Sequence, residues 1–216
     1  MQLQAPFTLF TPTVDAGVLM VLAQSESTFS ATQVQRLSPV EVSPAGARRA
    51  LARLVEQGIV ESERHGNAFV YRLNRDHLAA PAAIALARLR QQLYERIRST
   101  VAEWPDPPIY GAVFGSAARG TMQPASDIDL FLVRPRAAGS EDDRSESSWP
   151  ELVASLERTV TAWTGNDTRV VSFTADELTG PNRPTALLEE IDRDGVPVAG
   201  DEGWLRRLLR TAGRRE

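Results

Sequence analysis

The segment DIDLFLV, Asp127 to Val133, constrains this chain more than any other. It reads as a short buried strand, and PIYGAVF (Pro108–Phe114) reads as another. Side chains alternate along a strand, so Asp127 and Asp129 share one side while Ile128, Leu130 and Leu132 take the opposite one. Two carboxylates projecting together, about 6–7 Å apart, repel each other. A divalent cation between them explains the arrangement. Magnesium suits the pair, with manganese as its substitute, because it takes oxygen ligands and completes its octahedron with water and phosphate oxygens. Between the strands lies a tight turn, GSAARG. Gly115 lets the backbone approach a phosphate closely, Ser116 offers a hydroxyl and an N–H at a helix start, and Arg119, one turn on, can pair with phosphate charge.

Composition narrows the rest. The chain has 216 residues, enough for one large domain or two small ones. No apolar run approaches the roughly 18 residues of a membrane span, and no basic-then-apolar leader opens the chain. A cytoplasmic protein with no membrane partner is expected. The absence of cysteine agrees and excludes disulfides, thiolate catalysis and cysteine zinc sites. All 24 basic residues are arginine, which excludes a catalytic or phosphate-binding lysine. At a net charge of −4, any contact with DNA must come from a local basic face.

The N-terminal part is helical in pattern. Val14, Val18, Val21 and Leu22 form a first stripe. Ser30 and Gln33 fit a capping box for a second helix, and Ser43-Pro44 an N-cap for a third that stops at Gly58. Ile59–Leu73 then reads as a β-hairpin turning at His65-Gly66-Asn67. Three short helices and a hairpin, over residues 12–74, resemble the winged helix-turn-helix domains of bacterial regulators. The resemblance implies that the third helix enters the major groove and the wing tip touches the DNA backbone or minor groove. Ser43, Arg48, Arg49 and Arg53, with Arg64 and His65 at the wing tip, are then the candidate DNA-binding residues. From Arg75 to about Trp104 a helical stretch begins or kinks at Pro81. Its stripe of Leu86, Leu89, Leu93, Ile97 and Val101 serves either to pack on the C-terminal domain or as the seam of a homodimer.

Gly115-Ser116, ten intervening residues, and Asp127-Ile128-Asp129 resemble the signature of the nucleotidyltransferase superfamily that includes DNA polymerase β. Ala118, Arg119, Gly120, Ser126 and Leu130 extend the likeness to its minimal-nucleotidyltransferase branch. The resemblance implies two-metal transfer of a nucleotidyl group from an NTP. Asp127 and Asp129 would hold the ions, and Gly115 and Ser116 the triphosphate. One departure stands out. Members of the family usually add a third carboxylate on a later strand, and the corresponding TRVVSF (Thr168–Phe173) contains none; Asp167, just before it, is the candidate. Asp176 and Glu177 read instead as the first turn of a helix after Thr174.

The expected architecture is therefore α+β. It comprises a winged helix-turn-helix domain over residues 1–78, a long connecting helix over 79–105, and over 106–216 a polymerase β-like α/β nucleotidyltransferase domain with a mixed sheet. The residues beyond the site read as packing, the tryptophans included, with a mobile polar loop at 134–148 and a basic C-terminal helix end holding Arg206, Arg207, Arg210, Arg214 and Arg215. Two functions compete. One is a DNA-binding, magnesium-dependent transferase that places NMP on a protein or RNA acceptor, of the kind that acts as an antitoxin controlling its own operon. The other is a non-catalytic transcription regulator whose degenerate transferase domain senses a nucleotide. Modification of a small molecule, the third idea, draws nothing from a DNA-binding domain.

Overall fold

The computed structural model describes residues 1–11, 13–134 and 144–212, without the side chains of 144–147 and 212. Pro12, Arg214, Arg215 and most of the expected polar loop lie outside the described residues. The chain divides into two compact units, residues 2–91 and residues 92–216, the second including Met1.

In the first unit, a short 3-10 turn (Pro6–Leu9) precedes helices α1 (Val14–Ala23), α2 (Ala31–Leu37) and α3 (Pro44–Glu56). The two-residue strand β1 (Phe29–Ser30) and the hairpin β2 (Val60–His65) and β3 (Ala68–Leu73) form an antiparallel sheet in the order β1-β3-β2. Local chemistry sets these boundaries. Ser30 accepts from the Gln33 N–H while the Gln33 side chain accepts from the Ser30 N–H, and Ser43 Oγ accepts from the Gly46 N–H at 3.0 Å. His65 pairs with Ala68 across a two-residue turn in which Gly66 takes φ +60°, open to glycine without strain. Val18, Leu22, Val34 and Leu51, all fully buried, centre one core. Helix α4 (Ala80–Ala87) adds Ala80, Ala83 and Ala87 to it.

The single connecting helix expected over 79–105 is two helices, α4 and α5 (Leu89–Ala102). Pro81 sits in the first turn of α4, where its missing N–H is harmless. Arg88, at φ −95° and ψ 1°, leaves the helical region and separates them. Packing accounts for the break: α4 lays its alanine face on the first core, whereas α5 buries Leu93, Tyr94, Ile97 and Val101 in the second unit. Of the apolar stripe, Leu93, Ile97 and Val101 are buried within the chain, and Leu86 and Leu89 are half-buried.

The second unit is built on a mixed sheet. Its strands β4 (Tyr110–Phe114), β5 (Ile128–Arg134), β6 (Thr168–Thr174) and β7 (Val196–Gly200) stand in the order β6-β5-β4-β7, with β5 and β6 parallel and the other pairs antiparallel. A short helix α6 (Gly115–Arg119) joins β4 towards β5, and α7 (Arg144–Thr164) leads to β6. Residues 144–148, expected as loop, open that helix. Helices α8 (Ala175–Thr179), α9 (Thr185–Asp194) and α10 (Trp204–Ala212) complete the unit. They cover one face of the sheet, where Phe131, Val133, Ala112 and Phe114 meet Leu178, Leu188, Ile191 and Leu205. Phe131 and Val133 share that face with Asp127 and Asp129. The tryptophans pack as expected. Trp204 stacks on Tyr110 at 5.6 Å, Trp104 meets Trp149 edge-on at 5.2 Å, and Trp163 lies under Arg96.

Candidate active site

The apolar cover over the α8–α10 face stops at the start of β5, and the two aspartates occupy that uncovered end. Both are half-buried. Asp129 pairs in register with Phe114, the last residue of β4, so its carboxylate lies over the turn into α6. Gly115 takes φ +67° there, and a Cβ on it would come within 2.6 Å of Asp129 Oδ2. At the glycine expected from the sequence to make room for a phosphate, the structure shows room for the neighbouring carboxylate. A side chain at this position meets both left-handed backbone strain and a collision.

The approach to Asp127 is pinned from several directions. Ser126 Oγ accepts from the Gln123 N–H at 2.8 Å, and the Ile128 N–H donates to the Asp167 carbonyl at 2.8 Å. Buried Asn166 donates through Nδ2 to the carbonyls of Ser126 (2.8 Å) and Pro124 (3.3 Å), and its Oδ1 accepts from the Met1 ammonium. From the sequence, Asn166 reads only as a helix end. Its neighbour Gly165 marks the turn, but partners some forty residues away leave no local signal.

Electrostatics follow from this packing. Burial, and then the Asp127 charge beside it, push the Asp129 carboxyl above the usual carboxylate range; Arg169 and Arg119 pull the other way. Arg169 Nη2 lies 2.9 Å from Asp127 Oδ2. Arg119 turns to α9, with Nη1 2.6 Å from Glu190 Oε1 and 3.8 Å from Asp194 Oδ2, and reaches a phosphate only by leaving them. Ser116 is the second residue of α6, and its carbonyl accepts from the Thr121 N–H at 3.0 Å.

The donor set fits a divalent ion through its two carboxylates. Placed on one strand face, each with oxygen donors, they suit one oxygen-seeking cation. Among the described residues no third His, Cys, Asp or Glu joins them in a metal-holding cluster. Asp167 contributes its carbonyl to β5 and is not gathered into such a cluster. Glu177 accepts from the Thr174 N–H and hydroxyl as a helix cap, which holds its carboxyl below the usual range. Asp176 shares that first turn.

The residues singled out for DNA contact lie in the first unit. Arg48 and Arg49 are exposed on α3 and make no ion pair among the described residues. Arg53 is held by both oxygens of Asp15 on α1, and Ser43 caps α3. At the hairpin tip Arg64 and His65 are exposed, and Arg64 Nε donates to the Gly66 carbonyl at 3.1 Å. Among the described residues no helix is long and apolar enough to cross a membrane.

None of the curated proteins matches this chain. Solved structures align with its fold weakly. A toxin–antitoxin crystal structure with AMP-PNP is 15% identical, covers 56% of this chain and 85% of its own, and has a TM-score of 0.39. A tri-AMPylated Shewanella oneidensis HEPN toxin in complex with MNT antitoxin is 13% identical, with 58% and 85% covered and a TM-score of 0.37. A toxin–antitoxin MntA–HepT structure is 14% identical, with 58% and 85% covered and a TM-score of 0.35. Residues 95–177, which span α5 to the start of α8 and hold the whole Gly115–Asp129 site, match the family model of the nucleotidyltransferase domain.

Proposed function

We propose that the second unit is a magnesium-dependent nucleotidyltransferase that moves NMP from an NTP to a protein or RNA acceptor, and that the first unit binds DNA as a winged helix-turn-helix. The observation that carries the transferase reading is the Asp127–Asp129 pair, side by side at the open end of β5 over the Gly115 turn, inside the region matched by the nucleotidyltransferase model. Asp127 and Asp129 would hold the cation, magnesium or manganese. Such an ion, when bound, neutralises triphosphate charge and lowers the pKa of an attacking hydroxyl. Gly115 and Ser116 would seat the triphosphate, and Arg119 would reach it after release from α9. A winged helix fused to such a domain fits a cytoplasmic antitoxin that regulates its own operon.

A second reading has a specific observation behind it. With no third carboxylate in the cluster among the described residues and an arginine on Asp127, the domain would instead sense a nucleotide for a non-catalytic regulator. Label transfer separates the two. The protein is incubated with magnesium and labelled ATP, CTP, GTP and UTP beside protein and RNA acceptors, including the product of the neighbouring gene. Transfer of label is expected; nucleotide-dependent DNA affinity with no transfer would favour the sensor.

For the DNA half, R48A/R49A should weaken binding to the chain's own promoter region by about 10-fold at moderate salt. The salt slope should fall by roughly two, one for each phosphate that an arginine no longer neutralises. Fluorescence anisotropy across a salt series reads both quantities. Unchanged affinity would remove α3 from the interface.

A further inference from the structure

Strands β5 and β6 are parallel, so residues in register project from the same face, and Asp129 stands opposite Arg169. A cation gripped by Asp127 and Asp129 would find its next ligand from an adjacent strand at this place. The chain puts a guanidinium there, with Nη2 2.9 Å from Asp127 Oδ2. The Arg169 side chain is 70% exposed and that of Asp127 26% exposed. An ion pair this open to water is weak, so it is a displaceable partner and not a permanent lock. Arg119, the other guanidinium near the pair, is held by Glu190 and Asp194. Among the described residues, Arg169 is the guanidinium paired with Asp127, and its charge also acts on Asp129.

We propose that Arg169 is a resident counter-cation of the site, which competes with a divalent metal for Asp127 and keeps metal affinity low until an anionic ligand draws the guanidinium away. This rests on the reading of Asp127 and Asp129 as the metal-binding pair. Two like carboxylates need a positive partner when no metal is bound, and the fork of a guanidinium matches carboxylate geometry. When a metal takes the same oxygen, Arg169 loses its partner and its charge repels the ion at short range, a repulsion that solvent moderates but does not remove. A triphosphate arriving with the metal would give the freed guanidinium new oxygens. Metal and nucleotide would then bind more tightly together than either does alone, a coupling that works equally in both directions.

The test is Mn2+ binding to the full chain without nucleotide, read from the electron paramagnetic resonance signal of the free ion. R169Q is expected to bind Mn2+ about 10-fold more tightly than the wild type, because the competing charge is gone. R169K, which keeps the charge, should stay within about threefold of the wild type. Equal Mn2+ affinity in R169Q and the wild type, with binding lost in D127N/D129N, would overturn the competition while leaving the metal site in place. An increase in R169K as large as that in R169Q would also overturn it, since bulk and not charge would then be responsible. Mn2+ binding that survives D127N/D129N unchanged would remove the metal reading itself, and this proposal with it.

Discussion

Replacing Asp127 and Asp129 together by asparagine should lower nucleotidyl transfer at least about 10^3-fold, roughly 4 kcal/mol of transition-state stabilisation, while the protein stays folded. The substitution keeps the shape of both side chains and removes the charge that grips a cation. Stability should move the opposite way at Asp129. Its carboxyl is raised by burial and by Asp127, so the folded state binds that proton more readily than the unfolded chain does. Its contribution to stability is therefore fully present below the unfolded value, near 3.8, and is lost as pH rises through the higher folded value. At neutral pH the charged group destabilises the fold. D129N alone should raise the metal-free thermal midpoint at pH 7.5 by about 2 °C, the shift made by a fraction of a kcal/mol in a chain of this length. The same sign predicts that metal binding fails on acidification at a higher pH than for an ordinary aspartate. Calorimetry at several pH values checks both. A D127N/D129N variant that transfers label as fast as the wild type, or a D129N variant that melts lower, would contradict these expectations.

The largest effect on folding is expected at Phe131. It is fully buried at the centre of the sheet, two residues beyond Asp129 on the same face. Its ring meets Tyr110 at 6.2 Å and 62° and Phe173 at 5.9 Å and 36°, within the cluster that α8, α9 and α10 close. F131A removes the ring and leaves a cavity walled by three helices and three strands, so little of it can collapse. A loss of about 3–5 kcal/mol follows. All four tryptophans lie in the second unit, so tryptophan fluorescence during denaturation reports this loss specifically. A change below about 1 kcal/mol would mean that the face bearing the aspartates is not the packed one.

Much of the fold and site is legible along the chain because the signals are local. Alternation in DIDLFLV places both aspartates on one face; the Ser30 and Ser43 caps, the Gly66 turn and the Thr174 helix start follow from bonds spanning two or three residues. What stays hidden depends on pairings between distant segments. Arg119 matches a phosphate-binding pattern locally, yet α9, 71 residues on, brings Glu190 to it. Arg53 sits on an exposed helix face, yet Asp15, 38 residues back, binds it. Arg169 is an ordinary strand residue in the sequence; only the register of β6 on β5 sets it opposite Asp129. The break at Arg88 is hidden for a related reason: helical periodicity continues through it, and only the separate burial of α4 and α5 divides the stretch.

A divalent cation between the Asp127 and Asp129 side chains, held there when a triphosphate is present, is the condition on which the transferase reading stands. Crystals grown with Mn2+ and a non-hydrolysable NTP, recorded at a wavelength where manganese scatters anomalously, locate the ion directly. A peak about 2.2 Å from oxygens of both aspartates, with Arg169 off Asp127 and triphosphate oxygens completing the shell, is the predicted result. Triphosphate bound elsewhere, no peak at the pair, and Arg169 still on Asp127 would contradict it.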